Sequence, residues 1–78
     1  VLFLNDEVTT FEFVVKVLVQ IFGKTTDQAI EITKVIHEQG KGVVGTYLHE
    51  IAEQKGIETT VLARDEGYPL QVKVQKNS

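Results

Sequence analysis

The first half of this chain contains two helix-start signals, and each is followed by a glycine suited to end a helix. Both are capping boxes, in which a hydroxyl residue and a Glu or Gln cap the first turn reciprocally. The two pairs are Thr9 with Glu12 and Thr25 with Gln28. Gly23 and Gly40 follow them, and glycine readily adopts the left-handed conformation of a helix end. We therefore predict helices over residues 9–22 and 25–39.

Short apolar or alternating segments surround these helices and predict strands. Residues 1–4 form an apolar run that stops at a polar loop, residues 42–48 are rich in Val, Thr and Tyr, and residues 70–74 alternate. A third helix is predicted over residues 49–66, before Pro69. The order strand, helix, helix, strand, helix, strand predicts an α+β fold, a small three-stranded antiparallel sheet packed against three helices.

Composition limits what this single domain does. The 78 residues carry a net charge of −3 with no stripe of Lys or Arg, so the usual electrostatic footprint of nucleic-acid binding is missing. No uncharged run is long enough to span a bilayer. The lack of cysteine excludes disulfides and thiolate metal sites. Because the chain starts at Val1 and contains no Met, we expect a trimmed piece whose targeting segment could be missing.

Polar chemistry is concentrated at the end of the first predicted strand and on the second helix. Asn5, Asp6 and Glu7 lie just before a helix, where such residues often only cap a turn or complement the helix dipole. Thr33 and His37 are four residues apart and share a helix surface. The residues alone leave two interpretations open, a turn plus a surface histidine, or one site that combines them.

Four stretches together resemble the ClpS family of N-degron adaptors. They are LFLNDEVTTFEFVVKVL, VIHEQGKGVVGTY, HEIAEQK and YPLQV. The resemblance runs from Leu2 to Val74 and implies a small αβ adaptor, not an enzyme, with no cofactor. It implies that the chain binds proteins beginning with Leu, Phe, Tyr or Trp and hands them to a ClpA- or ClpC-type AAA+ unfoldase, which feeds the ClpP protease. The implied compartment is the bacterial cytoplasm, or the plastid stroma.

The resemblance also implies a role for individual residues. The substrate's α-amino group would be bound by Asn5, Asp6 and His37, with Glu7 in the second acidic place. The pocket for the first side chain would be lined by Thr9, Phe11, Val14, Thr33, Ile36 and Leu70. The unfoldase would contact Glu50 and Lys55.

Two departures from the family pattern lead to further expectations. Thr33 stands where better-known members carry Met, which predicts a pocket widened on one wall and partly compensated by Phe11. Residues 1–78 are expected to be the adaptor core alone, without the flexible N-terminal extension of the family. Such a core is expected to bind substrate and unfoldase without full delivery.

Two other functions remain as alternatives. The C-terminal domain of the ribosomal stalk protein has a similar architecture and is a protein interaction module, but lacks the acidic triplet paired with a distant histidine. A small hydrolase, or a metal-dependent enzyme, could instead use Asp6, Glu7 and His37.

Overall fold

Six short elements make up the computed structural model, which describes residues 1–75. They are β1 (Leu2–Leu4), α1 (Phe11–Gln20), α2 (Thr26–Gln39), β2 (Lys41–Val43), α3 (His49–Asp65) and β3 (Gln71–Lys73). The predicted order and α+β class are confirmed. The last three residues of the predicted 1–78 domain lie outside the described residues. Among those described, no helix is both long and apolar enough to cross a membrane.

The sheet is antiparallel and has β1 at its centre, in the order β2-β1-β3. Phe3 pairs with Gly42 on one side and with Val72 on the other, and its side chain is fully buried. Its ring meets that of Phe22 edge-on at 5.5 Å between centroids. The strand prediction for residues 42–48 is too long, because β2 ends at Val43. The Val44 N–H still donates to the Val1 carbonyl, and the chain then runs irregularly into α3.

Helix α1 begins at Phe11, so its N-cap lies one residue later than predicted. Its N-cap is Thr10, whose hydroxyl accepts a hydrogen bond from the Phe13 N–H at 3.2 Å. The capping box predicted at Thr9 is therefore wrong, because the Thr9 hydroxyl bonds to Asp6 instead. The helix ends at Gln20, earlier than the predicted residue 22, although Gly23 does take the expected left-handed conformation with φ +66°.

Helix α2 confirms its predicted caps. Thr25 and Gln28 exchange hydrogen bonds of 3.2 Å between side chains and backbone, and Gly40 ends the helix with φ +82°. Its buried residues are Ala29, Thr33 and Ile36. Val35, which belongs to the apolar stripe of this helix, is 46% exposed. The helix thus buries a polar residue and exposes an apolar one.

Helix α3 turns its small side chains inward and several large ones outward. The buried residues are Ala52, Gly56, Thr59 and Ala63. Ile57 and Val61 are 65% and 54% exposed. A Cβ on Gly56 would lie 3.3 Å from Val74 Cγ2, so glycine permits this helix to approach the segment that carries β3 closely.

Candidate functional site

The loop between β1 and α1 is organised by the Asp6 carboxylate. Its Oδ1 accepts hydrogen bonds from the backbone N–H groups of Val8 at 2.8 Å and Thr9 at 2.6 Å. Its Oδ2 accepts from the Thr9 hydroxyl at 2.6 Å. An aspartate that bonds to backbone two and three residues onward is a typical turn former, so the loop conformation follows from local sequence.

The same loop is joined to the far end of helix α2. The Asn5 N–H donates to the Gly40 carbonyl at 2.9 Å, immediately after the last turn of α2. Because His37 lies in that turn, this bond brings the Asn5–Asp6 loop and the histidine to one edge of the molecule.

The charge on Asp6 is stabilised at this edge. Burial opposes ionisation, but the hydrogen bonds from the Thr9 hydroxyl and from the Thr9 and Val8 backbones outweigh it, together with a Coulombic effect of His37. The pKa of Asp6 is therefore lowered below its ordinary value of 3.8.

His37 is exposed and lies flat against the ring of Phe11. The ring centroids are 5.4 Å apart and the planes differ by 18°, a stacked arrangement. Stacking limits the rotation of the imidazole while its edge, which carries both nitrogens, stays accessible to a ligand. The structure thus brings together Asp6, Phe11 and His37. Asn5 and Glu7, which flank Asp6 in the chain, are exposed.

The residues predicted to line a side-chain pocket are mostly part of the core. Five of the six are buried, namely Thr9, Val14, Thr33, Ile36 and Leu70, and Phe11 is half-buried. Thr33 is fully buried, and its hydroxyl donates to the Ala29 carbonyl at 2.6 Å. The hydroxyl is therefore satisfied within α2 and is not left to face an apolar guest.

Two cavities in the described part of the chain lie away from these six residues. One, of about 390 Å³, is lined by residues near the start of α3 and the end of the sheet, including Tyr47 and Leu48. The other, of about 540 Å³, is a groove between α3 and the β3 segment, lined in part by Ile57 and Val61. Neither includes a residue predicted to contact substrate.

The two residues predicted to face an unfoldase differ in their surroundings. Glu50 is exposed in the first turn of α3. Lys55 is half-buried, and its ammonium donates to the Ile21 carbonyl at 2.7 Å. The same ammonium lies 5.8 Å from the ring centroid of Phe22 and 5.4 Å from that of Tyr47. Lys55 therefore ties α3 to the carboxyl end of α1, a contact that the sequence did not predict.

The sequence also missed the hydrogen bond between Thr9 and Asp6 and the stack of Phe11 on His37. The first had a visible signal, since an Asp followed three residues later by Thr is a pattern for side-chain capping of a turn. The second had none, because Phe11 and His37 lie on different helices. Within the described residues, Asp6, Glu7 and His37 do not form a group that could hold a metal ion.

Comparison with known families identifies the family of this chain. Residues 1–73 match the family described as ATP-dependent Clp protease adaptor protein ClpS. The chain belongs to the ClpS family. Members of this family are adaptors of the Clp protease, proteins that bind rather than catalyse, which confirms the resemblance drawn from the sequence.

Curated relatives and a solved structure agree with this assignment. The chain is 46% identical over 72 residues to the ClpS adapter of Desulforapulum autotrophicum, covering 92% of this chain and 69% of that protein. It is 47% identical over 72 residues to that of Helicobacter hepaticus, covering 92% and 73%. The structure of Agrobacterium tumefaciens ClpS2 bound to L-phenylalaninamide is 33% identical, with a TM-score of 0.93 over 97% of this chain and 92% of that one. This similarity confirms the fold.

Proposed function

We propose that this ClpS-family chain binds the free α-amino group and the bulky hydrophobic first side chain of other proteins, and delivers those proteins to the AAA+ unfoldase of the Clp protease. The observation that carries the proposal is the convergence of Asp6 and His37 beside the Asn5 loop. Its chemistry fits the ligand of the similar ClpS2, since L-phenylalaninamide has a free α-amino group, a benzyl side chain and an amide in place of its carboxylate.

The amino-end half of the site rests on matching donors and acceptors. An α-ammonium group has three N–H donors and occurs only at the true start of a chain. Acceptors are offered by the Asn5 amide oxygen, the Asp6 carboxylate and the unprotonated nitrogen of a neutral His37 imidazole. Glu7, exposed next to them, adds negative charge that favours a cation. Acetylation removes the charge and two of the donors, so a site of this kind rejects blocked chains.

The side-chain half rests on apolar contact. We propose that Phe11, Val14, Ile36 and Leu70, with the methyl groups of Thr9 and Thr33, surround a Leu, Phe, Tyr or Trp side chain. Burying such a side chain contributes roughly 1.5–3 kcal/mol, and each charge-assisted hydrogen bond contributes roughly 1.5–3 kcal/mol. Association costs at least about 4 kcal/mol. Neither half reaches the roughly −8 kcal/mol of micromolar binding by itself.

Delivery involves a different part of the molecule from substrate binding. The exposed Glu50 and the stem of Lys55 lie on α3, whereas the candidate amino-end site lies on the β1–α1 loop and α2. A ClpA- or ClpC-type unfoldase could therefore contact α3 without competing directly for that site. Release of labelled fragments from a Phe-initiated reporter, with unfoldase and protease present, tests delivery separately from binding.

The decisive experiment compares two peptides that differ only at their first nitrogen. A fluorescent peptide beginning with Phe or Leu is expected to bind, and the acetylated peptide to bind at least about a hundredfold more weakly, since two or more charge-assisted bonds are lost. His37→Ala is expected to weaken binding of the free peptide. His49→Ala is the matched control, because His49 is the other histidine, exposed at the start of α3 and paired with Glu53 at 2.8 Å.

Equal affinity for the free and acetylated peptides would contradict the proposal, and the chain would then be an interaction module with no preference for chain ends. A loss in His49→Ala as large as that in His37→Ala would contradict the location of the site. A shift in melting temperature on adding metal ions, but not on adding the free peptide, would favour the hydrolase alternative.

A further inference from the structure

Three of the acceptor positions on the Asp6 carboxylate are already occupied within its own loop. Oδ1 receives two backbone N–H groups, from Val8 and Thr9, and Oδ2 receives the Thr9 hydroxyl. An ionised carboxylate offers about four such positions. The count leaves one acceptor position, and it belongs to Oδ2.

Two different constraints fix this carboxylate. The backbone bonds hold Oδ1 but alone would allow the group to tilt, whereas the hydroxyl bond also fixes Oδ2 at 2.6 Å. Thr9 is only 6% exposed, so its hydroxyl has little access to water as an alternative partner. The Thr9 side chain thus holds the Asp6 carboxylate in place through its hydroxyl.

We propose that Thr9 is a positioning residue, whose hydroxyl orients Asp6 so that the remaining acceptor of Oδ2 is held ready for the α-ammonium group of a bound chain end. The inference rests on the proposed function, because it assigns how that site is preorganised. It gives Thr9 a role distinct from apolar contact with the first side chain. A preorganised acceptor binds more tightly because less conformational freedom is lost on binding.

Two substitutions separate the two roles because they remove different halves of the Thr9 side chain. Thr9→Val keeps the shape and the methyl group but removes the hydroxyl. Thr9→Ser keeps the hydroxyl but removes the methyl group. A positioning role predicts that Thr9→Val weakens binding of a free Phe-initiated peptide about tenfold or more, because a hydrogen bond to a charged group is lost only in that variant. The affinity of Thr9→Ser is expected to stay within about twofold of the unaltered chain. A pocket-wall role predicts the opposite order.

The affinities of both variants and of the unaltered chain are measured with the free and acetylated peptides, with melting temperatures as the check on folding. The expected result is a loss of affinity for the free peptide in Thr9→Val and retained affinity in Thr9→Ser. The opposite order, weakening by both variants, or weakening by neither overturns the inference. If Thr9→Val does not fold, Thr9→Ser decides alone, because a tenfold loss there excludes a role carried by the hydroxyl.

The unaltered chain distinguishes failure of this inference from failure of the proposed function. If it binds free and acetylated peptides equally, the amino-end function is wrong and the positioning role fails with it. If it discriminates between them but the two variants rank in the opposite order, only the positioning role is wrong.

Discussion

Replacing Lys55 by Met tests the tie between helices α1 and α3. Methionine keeps the length of the lysine stem but removes the ammonium, which donates to the Ile21 carbonyl at 2.7 Å. Ile21 is the C-cap of α1, where carbonyl groups lack helical partners and the helix dipole favours a cation. The substitution therefore removes a charged hydrogen bond from a position where little else replaces it.

The magnitude follows from the contacts of that ammonium. A hydrogen bond to a charged group contributes roughly 1.5–3 kcal/mol. The rings of Phe22 and Tyr47, at 5.8 and 5.4 Å, add a cation–π contribution of about 0.5–1 kcal/mol, counted once because one charge serves both rings. We expect Lys55→Met to lower the free energy of unfolding by about 2–4 kcal/mol. For a domain of this size that lowers the melting temperature by roughly 8–32 °C.

The assay is thermal and urea unfolding of the unaltered chain, Lys55→Met and a matched control. Lys34→Met is that control, because Lys34 lies on an exposed face of α2 with only a 3.8 Å ion pair to Glu31. It is expected to change stability by no more than about 0.5 kcal/mol. Equal stability of Lys55→Met and Lys34→Met would refute the reasoning, because the ammonium would then make no stabilising contact in solution.

The result also determines how the proposed unfoldase contact of Lys55 is tested. A loss of delivery in Lys55→Met could arise from partial unfolding as well as from a lost contact with the partner. Binding of the unfoldase is therefore measured well below the melting temperature of the variant, beside Glu50→Gln. Glu50 is exposed, so its loss is expected to leave stability unchanged and to report on the interface alone.

Three further predictions follow from contacts described above. Thr33→Met forces a longer side chain into a fully buried position, where the Thr33 hydroxyl bonds to Ala29. It is expected to lower the free energy of urea unfolding by about 1–3 kcal/mol and to change the ranking of affinities for Leu-, Phe-, Tyr- and Trp-initiated peptides. An unchanged ranking would contradict the proposed place of Thr33 at the pocket. Because the folded-state pKa of Asp6 is lowered, the contribution of its carboxylate to stability is present above pH 3.8 and is lost as the pH falls through the folded pKa. The unfolding free energies of the unaltered chain and Asp6→Asn should therefore converge in acid. A constant difference would show that the charge of the carboxylate does not contribute to stability. Gly42→Ala is expected to destabilise the fold by at least about 1 kcal/mol, because the added Cβ would lie 2.7 Å from Ile36 Cγ1. A melting temperature equal to that of the unaltered chain would show that α2 moves aside freely.

Local signals predicted the parts of this fold that depend on neighbours in the chain. The α2 boundaries followed from its capping box at Thr25 and its terminal Gly40, both of which act within a few residues. The predicted N-cap of α1 was wrong by one residue because two adjacent threonines could serve as the cap. Asp6 engages Thr9, and Thr10 remains to cap the helix.

Burial was harder to predict because it depends on which helix face meets the sheet. Thr33 is buried because its hydroxyl bonds back to the Ala29 carbonyl, which removes the cost of hiding a polar group. Helix α3 packs through small residues such as Gly56 and exposes Ile57, a pattern opposite to the usual amphipathic helix. No rule based on hydrophobic periodicity alone predicts that arrangement.

The candidate site illustrates the same division. Asp6 and His37 are 31 positions apart, and only the family resemblance suggested that they share a function. The stack of Phe11 on His37 and the hydrogen bond from Lys55 to Ile21 likewise join parts of the chain that are distant in sequence. Such contacts arise from the fold and have no signature in neighbouring sequence.

The central position of β1 has a consequence for how the chain acquires its structure. Leu2 pairs with Val43 on one side and with Lys73 on the other, so the first strand awaits partners that are synthesised much later. At about 5–20 residues per second, a ribosome takes several seconds to reach the second partner, far longer than a helix needs to form. Helices α1 and α2 can therefore associate early, while the sheet closes only after residues 71–73 have emerged. Shortening the chain into β3 should leave β1 with a bare edge, and the truncated product would be prone to pair with other chains.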